Sequence, residues 1–172
     1  MDSLTYLIIL RFLHIVCGVF WAGAAIYLAA FVMPAVKTLG PDGGKFMQQL
    51  AKTNKLPLVM TVAATTTIVA GLLLLWKLSG GFEYEWMVTK HGLVLNTGIL
   101  IGLIAYFEGL LITRPTILKM NKLGAQIAAN GPPTPEQLQL MDGYRQKVFS
   151  ANTFVAVLLV LVVMAMSLIR YI

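Results

Sequence analysis

The chain has 172 residues, 58% of them hydrophobic and 12% charged, with a net charge of +6 and a mean hydropathy of +0.80. Soluble domains carry about 25% charged residues, and a soluble globule of this length leaves roughly a third of its unfolded surface wet, so lipid must solvate part of this chain. A water-soluble domain and a nucleic-acid binder are both excluded, because positive charge on so apolar a chain reports cytoplasmic loops. With one cysteine, Cys17, there is neither an internal disulfide nor a cysteine zinc cluster.

Four apolar runs follow in order, at about residues 7–36, 56–78, 86–113 and 149–172. Each exceeds the roughly 20 residues that a helix needs to cross a bilayer core. Backbone groups in lipid must be satisfied internally, which requires helices, and the runs are too continuous for barrel strands. Residues 1–6 carry Asp2 and no cation, and the first run continues past the small residues 22–25. It therefore reads as a permanent span rather than a cleaved signal.

The first connection, 37–55, holds Lys37, Lys45, Lys52 and Lys55 against Asp42. The third, 114–148, holds Arg114, Lys119, Lys122, Arg145 and Lys147 against Glu136 and Asp142, whereas the middle one balances Lys77 and Lys90 with Glu83 and Glu85. The expectation is an all-α integral membrane four-helix bundle, up-down, forming one domain over 1–172 in the inner (plasma) membrane. Both basic connections are then cytoplasmic and both termini lie on the outer, periplasmic side. Gly40-Pro41-Asp42-Gly43-Gly44 is turn chemistry ahead of a short amphipathic piece. Thr134-Pro135-Glu136-Gln137 reads as a helix start that runs on into the fourth span.

The only histidines are His14, in the first span, and His91, near the start of the third. Both spans run from outside to inside, so at ~1.5 Å per residue the two imidazoles match in depth within about 10 Å. Ionisable side chains inside a membrane usually face the bundle interior, imidazole is a common axial heme ligand, and bundle cores hold cofactors. His14 and His91 are therefore the candidate axial ligands of one noncovalent heme b near the outer face, the alternatives being a one-histidine heme with an open or Met-ligated sixth position and a His91 that is only an interfacial polar residue. Gly18 and Trp21 share the face of His14, with Ala25 and Ala29 leaving room, and Gly98 and Gly102 lie on the side of His91. Arg11 and Lys90 are the candidate partners of the heme propionates. The alternatives are that the glycines serve close helix packing alone and that the two cations only snorkel.

Leu10-Arg11-Phe12-Leu13-His14-Ile15-Val16 with Val19-Phe20-Trp21-Ala22-Gly23, and Trp86-Met87-Val88-Thr89-Lys90-His91-Gly92-Leu93, resemble a pattern in small bacterial membrane proteins. These are the heme-containing, oxygen-independent protoporphyrinogen oxidases and the membrane domain of the copper-resistance D proteins. The resemblance implies that a first-span His and a third-span Lys, matched here by His14 and Lys90, serve heme and activity. The chain departs from the oxidases at Ala29-Ala30-Phe31-Val32-Met33-Pro34, where they are aromatic-rich, and in placing His91 directly after the lysine.

Glu108, near the inner end of the third span, reads either as a proton relay or border of a quinone pocket, or as an interfacial carboxylate paired with a Lys or Arg. Thr65, Thr66 and Thr67 are expected to bond back to their own helix, and Cys17 to be a small buried hydrophobe. The expected function is a b-type membrane cytochrome passing electrons between quinol and another membrane or periplasmic redox protein. The rivals are a protoporphyrinogen-oxidase-like enzyme and a heme-free structural or metal-handling subunit. Whether the chain works as a homo-oligomer or within a larger complex stays open.

Overall fold

The structure is a computed structural model describing residues 3–171; Asp2 and Ile172 lie outside the described residues. Regular structure among the described residues is entirely helical. Four rods are long and apolar enough to cross a membrane: Leu4–Thr38, Leu56–Leu78, Lys90–Asn130 and Pro135–Leu168. The first consists of α1 (Ser3–Tyr27), a π-turn (Leu28–Val32) and α2 (Met33–Thr38). A short amphipathic helix, α3 (Pro41–Lys52), precedes α4 (Leu56–Leu78), and α5 (Tyr84–Met87) lies in the middle connection. The third rod joins α6 (Lys90–Glu108) through a π-turn (Gly109–Thr113) to α7 (Arg114–Asn130), and α8 (Pro135–Leu168) is the fourth.

Both π-turns stand just ahead of a proline, Pro34 and Pro115. A proline inside a rod has no N–H for the carbonyl four residues back, and its ring crowds that carbonyl. The backbone widens by one residue instead: the Met33 N–H donates to Leu28 O and the Arg114 N–H to Gly109 O, each five residues back.

The third rod has 41 residues, about 60 Å of helix, roughly twice the ~30 Å of a bilayer core. The polar α7 and the charged first half of α8 therefore project beyond the apolar layer, packed on one another. The stretches expected as loops are thus largely helical. Thr134 starts α8 with a full capping box: its hydroxyl accepts from Gln137 N (3.3 Å), and the Gln137 side chain accepts from Thr134 N (3.0 Å).

In the bundle, α1 packs on α4 and α8, and α6 packs on α8 and more lightly on α4. The core comprises Trp21, Ala22, Ala25, Ala63, Ala64, Ala105, Val155 and Leu159. Lipid tails do not drive helices together as water does, so close backbone approach over small residues holds the seams.

Candidate functional site

His14 lies in the seam between α1 and α4. Its Nδ1 is 2.8 Å from the carbonyl oxygen of Thr67. A carbonyl only accepts, so Nδ1 carries a proton, and in the neutral imidazole Nε2 is the nitrogen with the lone pair. The ring enters the seam because position 71 is glycine: a Cβ there would sit 2.8 Å from His14 Cε1. One turn further along, a Cβ at Gly18 would meet the Thr67 methyl at 3.3 Å. The space left by Gly18 is thus filled by α4. Trp21, two turns below His14, is buried, and Arg11 is exposed.

His91 is placed differently. Thr89 caps α6, with its hydroxyl accepting from Gly92 N (3.1 Å). Trp86 belongs to the separate helix α5, and Lys90 and His91 occupy the exposed first turn of α6. Asn96 joins the two helices by donating to Met87 O (3.2 Å). The bundle sets α1 and α6 on a diagonal, each packed on α4 and α8. Gly98 faces α8, where a Cβ would touch Met166 Cε at 2.8 Å. Among the described residues, no group of three or more His, Cys, Asp or Glu side chains converges.

The chain's large cavity, about 1290 Å³, lies at the other end of the bundle, between the two basic connections. All four rods and α3 line it. Its wall is largely aliphatic and methionine-rich, with Trp21 on one side and Tyr106 and Glu108 on another. Glu108 is 9% exposed. Its oxygens lie 3.2 and 3.1 Å from the Thr113 hydroxyl, which donates. The π-turn makes this contact, because a turn closing on the fifth residue sets Thr113 over Glu108 and carries Arg114 past it. Of the two readings of Glu108, the ion pair to a Lys or Arg is absent among the described residues, and a hydroxyl stands in its place.

Thr65, Thr67 and Thr61 all donate to carbonyls of their own helix at 2.8 Å. Thr65 has only one proton and spends it on Thr61 O, so the Tyr106 hydroxyl, 3.0 Å away, is the donor between α6 and α4. The oxygen of Tyr106 is left as an acceptor beside the cavity. At the rim, Lys45 bonds Asp42 (2.8 Å) and Arg145 bonds Asp142 (3.1 Å). The hydrogen bond from Lys45 holds the exposed Asp42 carboxyl below its usual range and raises Lys45 in turn. These are the ion pairs among the described residues, and neither involves Lys37 or Arg114.

Compared with known protein families, with curated proteins and with solved structures, the chain has no match. The sequence offers Glu108 as one border of a pocket but not the cavity's extent or its other walls. The signals of these were Pro34 and Pro115, each able to open a helix, and the polar Tyr106 and Asn152 at apolar positions.

Proposed function

We propose that the chain is a b-type cytochrome of the inner membrane, holding one noncovalent heme b with His14 as axial ligand. Its redox partners are quinol and a membrane or periplasmic redox protein. The observation that carries this reading is the hydrogen bond from His14 Nδ1 to the Thr67 carbonyl (2.8 Å). A metal-ligating histidine characteristically donates its other ring N–H to a carbonyl or carboxylate, which fixes the tautomer and raises its basicity. An intramembrane imidazole kept in that form is suited to iron. When bound, the heme supplies one-electron chemistry. Arg11, about one turn before His14, and Lys90 are proposed to hold the propionates. The up-down topology, with the basic connections cytoplasmic and both termini periplasmic, follows the positive-inside rule.

The test is the absorption spectrum of the full chain purified in mild detergent. We expect a Soret band that sharpens on reduction and is lost in His14→Ala; a colourless preparation, or colour that survives this substitution, sinks the reading. His91→Ala decides the other face of the iron. Loss of colour there assigns His91 as second ligand and makes the protein an electron-transfer cytochrome.

The exposure of His91 and the diagonal placement of its helix favour a second reading. With one protein ligand, the heme serves an enzyme of the protoporphyrinogen-oxidase type, with Lys90 or Arg11 holding substrate carboxylates. Carbon monoxide binding to the reduced protein together with porphyrinogen turnover supports that reading. A six-coordinate spectrum indifferent to carbon monoxide excludes it.

A further inference from the structure

The geometry points to a binding site for a quinone or quinol in the cavity at the basic end of the bundle, with Glu108 as the group that bonds the head-group oxygen. This takes its ligand class from the redox reading above, but it rests on different residues. At about 1290 Å³ the cavity exceeds the roughly 300–1,000 Å³ usual for small-molecule sites. Its aliphatic wall suits a ring with an apolar tail. Charged lining residues such as Lys37, Lys45, Arg114, Asp142 and Arg145 are exposed. The polar lining residues that are not exposed are Glu108, 9% exposed with the Thr113 hydroxyl as its donor, Tyr106, Thr61, Asn121 and Asn152.

Charge narrows the ligand. A cationic amphiphile would suit Glu108 but would have to pass Lys37 and Arg114, which line the same cavity and belong to neither ion pair. An anionic one would suit those cations and meet Glu108. A neutral ring bearing hydroxyl or carbonyl groups meets neither objection. A carboxyl group serves both redox forms, because as carboxylate it accepts from a quinol hydroxyl and as acid it donates to a quinone carbonyl. Intramembrane carboxyls are rare and mark ligand or proton sites, and Glu108 is in neither ion pair of the described residues.

Trp21, buried against the cavity, reports occupancy. Decylubiquinone is titrated into the full chain in detergent, and tryptophan emission is followed. We expect saturable quenching that disappears in Trp21→Phe, where Trp76 and Trp86 remain. Glu108→Leu should weaken the apparent affinity at least about tenfold, and Glu108→Gln, which still donates and accepts, should restore it to within about threefold. Should the leucine variant fail to fold, Ala51→Phe, which fills the cavity from α3, must give the same loss. The His14→Ala chain must quench like wild type, so that failure of the heme reading shows as lost colour and failure of this site as lost quenching. Quenching that never saturates, or that is indifferent to both Glu108→Leu and Ala51→Phe, overturns the proposal. Quenching abolished by added phospholipid assigns the cavity to acyl chains and overturns it equally.

Discussion

Replacing Gly71 by alanine would push a methyl group to 2.8 Å from His14 Cε1 and 2.9 Å from Nδ1. The ring must then rotate out of the seam and give up the Thr67 carbonyl. Overpacking of this kind costs roughly 1–3 kcal/mol. We expect Gly71→Ala to fold with a lowered Tm and to lose or shift the Soret band as His14→Ala does. A variant that keeps both spectrum and Tm would show that the seam does not hold the imidazole. His14 stood out in the sequence as an imidazole within an apolar run, and it lies in a helix seam. Its partner did not stand out, because a backbone carbonyl carries no sequence signal and Gly71 reads as one small residue among many. Glu108 was legible as an oddity, but its partner was not: on a regular helix the side chains over it would be Leu111 and Ile112, and the π-turn delivers Thr113 instead.

Among the elements, the two proline-led π-turns shape the cavity end. Residues from each line the cavity, Leu28 in the first rod and Gly109, Leu110 and Thr113 in the third. Pro115→Ala restores an N–H, so the turn can close to regular α-helix. Removing one residue of widening rotates everything after it by about 100° at 3.6 residues per turn, which swings Arg114 and Ile117 away from the cavity. We expect a Tm equal to or above wild type together with weaker decylubiquinone quenching, a trade of function for stability. Unchanged quenching would show that the turn plays no part in shaping the site. Element existence was legible here, because the four apolar runs sit where the rods are. Element ends were not. Thr89 moves the start of α6 past Trp86, and polar α7 continues a rod that hydropathy alone stops near residue 113.

Taken whole, the chain exposes 10962 Å², whereas a compact soluble globule of its mass would expose about 8,300 Å². Much of the surplus is apolar: Phe12, Val62, Val69, Leu100 and Val157 are all half-exposed or more. Such a surface is stable only against lipid. Leu100, 60% exposed in mid-α6, provides the check. Leu100→Lys should reduce membrane insertion by the ~2.5–3.5 kcal/mol that a central lysine costs, measured as the integrated fraction in a translocon assay. Gln49→Lys on exposed α3 should change nothing. Equal insertion of the two variants would mean that this face of α6 never meets lipid.

Five of the eight core side chains are alanines, which have no rotamers to freeze when helices dock. Surfaces so smooth offer little resistance to sliding along the helix axes. Axial register then rests on a few bolts: the bulk of Trp21 and Leu159, the His14–Thr67 bond joining α1 to α4, and the Tyr106–Thr65 bond joining α6 to α4. Three of these bolts, Trp21 and the two hydrogen bonds, lie at the proposed sites, so side chains offered to ligands are also the ones that keep the smooth helices from slipping.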